Sequence, residues 1–171
     1  LLLRAPDRSA SSDGTLRGSC VRQDGRSASL TAPNGQAQQS LLSASLADGS
    51  LAAGELACAE AHGTGTALGD PIEAGAFAVA LLMEGLGALS IGSLKANAGH
   101  TEPGAGLAGA LKLVMQLCGE AMSPNAQLRA LNPHVGEALR GRVECGLPGQ
   151  GTTLRDAGAA CPGGVSSFGY A

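Results

Sequence analysis

The sequence predicts a layered α/β fold in which helices pack on a sheet, and three observations carry that prediction. Two stretches follow one plan: a short apolar strand, a glycine-rich loop bearing a histidine, then a helix. They run from Leu56 to about Met83 and from Ile91 to beyond Val114. Of the 171 residues, 44% are hydrophobic but only 2% aromatic, so the core must be made of Ala, Leu, Val and Gly. Small side chains bury little area each, so such a core depends on close backbone approach and is expected to be marginal in isolation. No repeat of fixed short period is present. The length suffices for one domain with a real core, and nothing requires two.

In chain order, Ser9 to Gly14 is small and polar and reads as an exposed loop, and Leu16 to Val21 as a strand. Arg22 to Gly35 carries Asp-Gly and Pro-Asn-Gly turn signals. Asn34 is placed to cap a helix over about Gln36 to Ala47, stopped by Asp48-Gly49. Leu56 to Ala61 is an apolar run suited to a buried strand. After the first histidine loop, Asp70 reads as an N-cap, with Pro71 at the first helical position and Glu73 closing a capping box. The second unit ends in a helix with Leu107, Leu111, Val114, Met115 and Cys118 at helical spacing. Gly104, Gly106 and Gly109 spell the dinucleotide pattern GxGxxG. A true fingerprint follows a strand directly and has an acid about 20 residues on, neither of which holds here, so these glycines are assigned to close helix packing. From Gly119 the character changes. Ser123 to Val135 is extended and broken by Pro124 and Pro133, Gly141 to Gly164 is rich in turn residues, and Val165 to Phe168 returns as a strand.

The chemistry-bearing groups gather in the two loops. His62 sits just past a strand, among Gly63, Gly65 and Gly69, at the strand end where ligands collect in open α/β sheets. A ring satisfied by backbone fits the residues equally well. Thr64 and Thr66 alternate with glycine, either facing a ligand or serving the turn. His100 follows Lys95 and Asn97 and precedes Glu102. A Lys95–Glu102 pair beside an imidazole holds charge and orientation in a partly dry site, and a solvated ion pair beside a core histidine is the plainer reading. His134 reads as structural or exposed. No Cys or His pair has zinc-site spacing, so no metal is expected.

Net charge is −3 with no basic cluster, which argues against nucleic acid as a partner. Five irregularly spaced cysteines fit free thiols in a reducing, intracellular compartment. Cys58 and Cys118 fall on apolar faces and read as core residues. No stretch reaches the length of a membrane span, and LLLRAP lacks the order of a signal peptide. Leu1 in place of Met, and the break at Ala171, make the chain read as a piece of a larger protein.

EAHGTGTALGDPIEAGA (Glu60 to Ala76) and IGSLKANAGHTEPGAGLAGALKLV (Ile91 to Val114) closely resemble the two histidine motifs of β-ketoacyl synthases, the condensing domains of polyketide and fatty acid synthases. VRQDGRSASLTAPNGQAQQ (Val21 to Gln39) is similar to a further segment of that family, and VSSFGYA (Val165 to Ala171) to the start of its C-terminal glycine-rich motif. The resemblance implies a thiolase-like fold, of which this chain supplies mainly the C-terminal half. Residues 16–118 correspond to the C-terminal ketosynthase core, and 119–171 form a Gly/Pro-rich C-terminal segment. It further implies decarboxylative Claisen condensation of acyl and malonyl thioesters by the complete domain.

In that likeness His62 and His100 are catalytic, supported by Lys95, Asn97 and Glu102. Thr64 and Thr66 contact the phosphopantetheine arm of an acyl carrier protein, and Tyr170 stands at the family's gating phenylalanine position beside the active site. No cofactor is expected to bind directly. The implied partners are the acyl carrier protein, the rest of the ketosynthase domain and a second copy in a homodimer. The family's nucleophilic cysteine sits on a strand-to-helix turn among small residues. Cys20, Cys58, Cys118, Cys145 and Cys161 all lack that setting, so the chain alone is expected to be inactive. The alternative among enzymes is a thiolase or a fatty-acid condensing enzyme, and the paired histidine motifs favour the synthase branch over thiolase. A rival of another class is a non-catalytic module that binds acyl carriers or acyl chains.

Overall fold

A computed structural model describes residues 1–4, 14–27, 32–82, 88–126, 128–141, 145–154 and 161–169. Its elements in chain order are strand β1 (Leu2–Arg4), strand β2 (Thr15–Gly18), helix α1 (Gly35–Asp48), strand β3 (Cys58–Glu60), helix α2 (Gly69–Ala80), strand β4 (Leu89–Gly92) and short helix α3 (Lys95–Ala98). Helix α4 (Ala105–Cys118), strand β5 (Ala121–Met122), short helix α5 (Pro133–Ala138), and strands β6 (Cys145–Gly146), β7 (Thr152–Thr153) and β8 (Pro162–Val165) complete it. The described strands form a six-stranded mixed sheet in the order β2-β1-β8-β3-β4-β6, and β5 pairs with β7 apart from it. Parallel pairing joins β8, β3, β4 and β6, while β1 lies antiparallel to both neighbours. Strand β3 is therefore central, with Ala59 opposite Ile91 on one side and Gly164 on the other.

Alternation along β3 divides the core. Ala59 joins Leu46 of α1, Phe77 of α2, Leu81 just after that helix, and Ile91 on one face of the sheet. Cys58 joins Leu113 and Leu117 of α4, with Met122 and Leu154, on the other. Glycine allows the layers to touch. A Cβ on Gly163 would lie 2.8 Å from Leu113 Cδ1 and 2.9 Å from Cys58 Sγ, and one on Gly18 only 2.5 Å from the Gly49 nitrogen.

Several elements sit where the sequence places them. Asn34 caps α1, its Oδ1 accepting the N–H groups of Gln36 and Ala37 at 3.0 and 3.2 Å. Others are corrected. No capping box forms on α2: Asp70 Oδ1 accepts the Gly65 N–H at 3.1 Å, and both Glu73 oxygens turn back to the histidine loop. The helix ends at Ala80, and Met83 lies outside the described residues. Pro133 opens α5 rather than breaking an extended run, because Asn132 Oδ1 accepts the His134 N–H at 2.9 Å and Pro is at home in the first turn. His134 itself is exposed, as expected. The C-terminal strand ends at Val165, where the sequence would have it begin, so Ser166 to Phe168 is loop.

The largest departure concerns α4. Its row Leu107, Leu111 and Met115 is 69%, 57% and 74% exposed, and Cys118 is exposed with it. Ala105, Gly109, Lys112, Leu113, Gln116 and Leu117 face inward instead. The predicted role of Gly106 and Gly109 holds: a Cβ on Gly106 would sit 2.9 Å from Ser167 Oγ, and on Gly109 3.2 Å from Glu60 Cγ. Gln116 is 4% exposed, and neither of its amide atoms has a hydrogen-bond partner among the described residues. Gln116→Leu is therefore expected to stabilise the fold by about 1 kcal/mol, read from the urea midpoint, because it removes unmet polar atoms at similar volume. An unchanged or lower midpoint would show that the amide is satisfied in the folded protein.

Candidate active site

Both histidines lie just beyond the carboxyl ends of adjacent parallel strands, His62 after β3 and His100 after β4 and α3. Their rings face each other edge-on, with centroids 5.7 Å apart at 87°. The sheet thus brings together two residues 38 positions apart in the chain.

The His62 loop is held by a buried carboxylate. Glu73 accepts the His62 N–H at 2.8 Å on one oxygen and the Gly63 N–H at 2.9 Å on the other. Burial pushes Glu73 up to about 7, against those two donors, which favour its anion. Gly63 has φ +45°, and a Cβ there would press within 2.8 Å of Ser93. Ser93 in turn donates its hydroxyl to the Gly63 carbonyl at 3.2 Å, fastening one loop to the other. Asn125 anchors Ser93 from below, accepting its N–H at 3.0 Å while donating to the Ile91 carbonyl at 3.2 Å.

Each ring has a fixed tautomer. Phe168 donates its N–H to His62 Nδ1 at 3.3 Å, and Glu102 donates its N–H to His100 Nδ1 at 3.0 Å. With Nδ1 accepting in both, a neutral imidazole carries its proton on Nε2. The Phe168 ring also packs edge-on against His62, centroids 5.6 Å apart. Burial, then the charge of Lys95 and the neighbouring His100, pull His62 down to about 4, so its ring is neutral around pH 7.

The other sequence-predicted residues divide. Lys95 is half-buried and lines a cavity of about 610 Å³ together with Glu73, Ser93, His100, Phe77 and Ile91. Burial lowers its ammonium from the ordinary lysine value, against the pull of Glu60 and Glu73. No ion pair joins Lys95 to Glu102. Glu102 serves the site through its backbone N–H, at φ +47°, and its side chain is exposed. Asn97 clips the following loop, donating to the Pro124 carbonyl at 3.1 Å and accepting the Ala126 N–H at 2.8 Å. Thr64 lines the cavity, whereas Thr66 Oγ1 accepts the Gly69 N–H at 3.1 Å and so serves the turn into α2. Tyr170 lies outside the described residues.

No cysteine lines the cavity among the described residues. Burial pushes the Cys58 thiol up to about 12 and Cys145 up to about 11, which keeps both protonated and unreactive. No cluster of metal-ligating side chains occurs among the described residues, and no helix there is long and apolar enough to cross a membrane. Imidazoles with Nε2–H groups, a nearby ammonium and a cavity suit stabilisation of a developing oxyanion.

Comparison with known proteins places the chain in a family. Residues 14–129 match the model of the β-ketoacyl synthase C-terminal domain. The chain is 45% identical over 156 residues to the spectinabilin polyketide synthase system protein NorA' of Streptomyces orinoci, covering 90% of this chain and 4% of that protein. It is 42% identical over 120 residues to the erythronolide synthase EryA2 of Saccharopolyspora erythraea, covering 70% of this chain and 3% of that one. Among solved structures, the oxazolomycin ketosynthase domain OzmH KS7 of Streptomyces albus superposes with a TM-score of 0.79 at 32% identity, over 91% of this chain and 28% of its own. Ketosynthase twelve of the bacillaene polyketide synthase of Bacillus amyloliquefaciens gives 0.81 at 29% identity, with the same coverage. The mixed sheet with its covering helices is accordingly thiolase-like, and the chain spans only a small part of the proteins it resembles.

Proposed function

The chain belongs to the β-ketoacyl synthase family, matching its C-terminal domain, and from that premise we propose that it supplies the histidine half of a ketosynthase active site acting in polyketide assembly. The observation that carries this reading is the pair of imidazoles, 5.7 Å apart, each held by a backbone N–H in the Nε2–H tautomer. The reaction is decarboxylative condensation. A malonyl thioester, presented on the phosphopantetheine of an acyl carrier protein, loses carbon dioxide, and the electrons of the broken C–C bond pass into an enolate. Both Nε2–H groups donate to the enolate oxygen, and the carbanion carbon attacks an acyl thioester held on a cysteine of the complete domain, expelling its thiolate. Lys95 adds positive charge to the cavity, Asn97 and the Glu102 backbone hold the second loop, and Thr64 meets the carrier arm. A non-catalytic carrier-binding module would leave the two fixed donors without a use.

The exposed α4 row of Leu107, Leu111 and Met115 is where the remainder of the domain packs, since an apolar stripe of this kind marks an interface. Homodimerisation belongs to that complete domain. The experiment that tests the reading supplies radiolabelled acyl and malonyl thioesters to the full-length protein and to this chain alone. The full-length protein is expected to take up acyl groups and release carbon dioxide, and the isolated chain to form no acyl thioester. Acyl transfer to the isolated chain, lost on replacing one of its cysteines, would contradict the assignment.

The pH dependence is a second test. His62 at about 4 stays neutral across the physiological range, so decarboxylation by the His100→Ala variant is expected to show no acid limb near the ordinary histidine value of about 6.5. Between those values the unfolded chain binds the proton that native His62 refuses, so this residue contributes less stability as pH falls from 6.5 towards 4. Glu73, at about 7 against an ordinary 4.5, retains a proton that the unfolded chain releases, so its effect has the opposite sign between those values. A step in rate near neutrality that disappears in Glu73→Gln belongs to Glu73. A limb near 6.5 that survives both Glu73→Gln and His100→Ala would overturn the neutral assignment of His62.

A further inference from the structure

The residue that touches most of the site's framework is neither histidine. Glu60 closes β3 two positions before His62 and is 2% exposed. Its Oε2 meets Lys112 Nζ of α4 at 2.6 Å, and Lys112 is itself only 9% exposed. Its Oε1 accepts the N–H of Leu94, the residue that leads into Lys95 and the His100 loop. Its main-chain carbonyl accepts the Ser166 N–H at 3.0 Å, two residues before the Phe168 N–H that fixes the His62 ring. One residue thus ties together the strand carrying His62, the loop carrying His100, the helix behind both, and the segment that orients an imidazole.

The neighbouring backbone leaves room for this pair. A Cβ on Gly109 would stand 3.2 Å from Glu60 Cγ, and one on Gly92 would stand 3.2 Å from Lys112 Nζ and 2.9 Å from Met122 Cε. Stability alone does not account for such an arrangement, because buried ion pairs are often replaced by apolar residues of similar volume without loss. What the pair supplies is a fixed spacing among three elements, and catalysis by oriented donors is sensitive to spacing.

We propose that Glu60 and Lys112 are positioning residues that set the placement of the two histidine loops, and thereby govern the decarboxylation half-reaction while leaving acyl loading aside. The inference rests on the ketosynthase reading above. Acyl capture proceeds on a cysteine thiolate and forms no enolate, so it does not call on the two imidazole donors that this pair places. Neither Glu60 nor Lys112 lines the cavity that His100 borders, so both act through the groups they hold.

The test uses the full-length protein with Glu60→Gln/Lys112→Met, which removes both charges together and keeps an amide oxygen for the Leu94 N–H. Thermal melting, acyl loading and carbon dioxide release from a malonyl thioester are measured on the same preparation. The expected result is a melting point and loading rate close to wild type and a KM for malonyl thioester within about twofold. The kcat for decarboxylation is expected to fall by about 10- to 100-fold. Lys112→Arg keeps the charge but changes the head group's shape, and provides a folded variant should the double one fail to fold. It is expected to show the same split with a smaller fall in kcat, about 3- to 10-fold. A wild-type kcat for decarboxylation in either folded variant, or equal losses in loading and decarboxylation, overturns the inference. A wild-type protein that releases no carbon dioxide overturns the ketosynthase reading itself and this inference with it.

Discussion

In the complete domain, His62→Ala and His100→Ala are each expected to slow carbon dioxide release from malonyl thioester by about 10²- to 10³-fold, with acyl loading near the wild-type rate. The size follows from the removal of one preorganised donor to a developing oxyanion. The selectivity follows from the chemistry, because acyl transfer to a cysteine thiolate develops no enolate for the imidazoles to stabilise. The fold should survive both changes, since His100 is exposed and the Glu73 carboxylate holds the His62 loop by backbone N–H groups that alanine retains. Loading and gas release are measured separately with labelled donors. Mutants that release carbon dioxide at the wild-type rate would remove both histidines from the reaction.

Lys112→Met alone is expected to destabilise the protein by about 3–5 kcal/mol, far more than Glu60→Gln/Lys112→Met together. The single change strands the Glu60 carboxylate at 2% exposure with the Leu94 N–H as its remaining side-chain donor. Removing both charges leaves no stranded charge, only a neutral amide N–H group that costs far less to bury. Urea denaturation of the three proteins measures the difference. Equal stability of the single and double variants would mean that water or another donor relieves Glu60, and the pair would lose its standing as a buried one.

The fold was legible where local chemistry speaks alone. Asn34 at one end and Asp48-Gly49 at the other mark α1, and apolar strands ahead of histidine–glycine loops mark the parallel centre of the sheet. The face of α4 was not legible. Periodicity identifies a stripe as apolar but not what covers it, and here the inward face carries Lys112 and Gln116 while Leu107 and Met115 point out. Both histidines stood out because each follows a strand within glycine-rich sequence. Their tautomers did not, since His62 Nδ1 receives its proton donor from Phe168, 106 residues away. Glu73 passed for a capping residue because spacing alone cannot tell which backbone N–H a carboxylate turns to. Glu60 and Lys112 did leave a trace: each is a lone charge inside an otherwise apolar strand or helix, and such charges are rare unless paired.

Two loops, one after β3 and one after β4, are proposed to build a single site around one oxygen. A double-mutant cycle on decarboxylation tests it most directly, comparing wild type, His62→Ala, His100→Ala and the combined variant in the full-length protein. Donors on rings whose centroids lie 5.7 Å apart, serving the same enolate, should couple, so the combined loss is expected to fall short of the sum of the single losses by about 0.5–3 kcal/mol. Strict additivity of the two losses would mean that the histidines act independently, and would contradict the account.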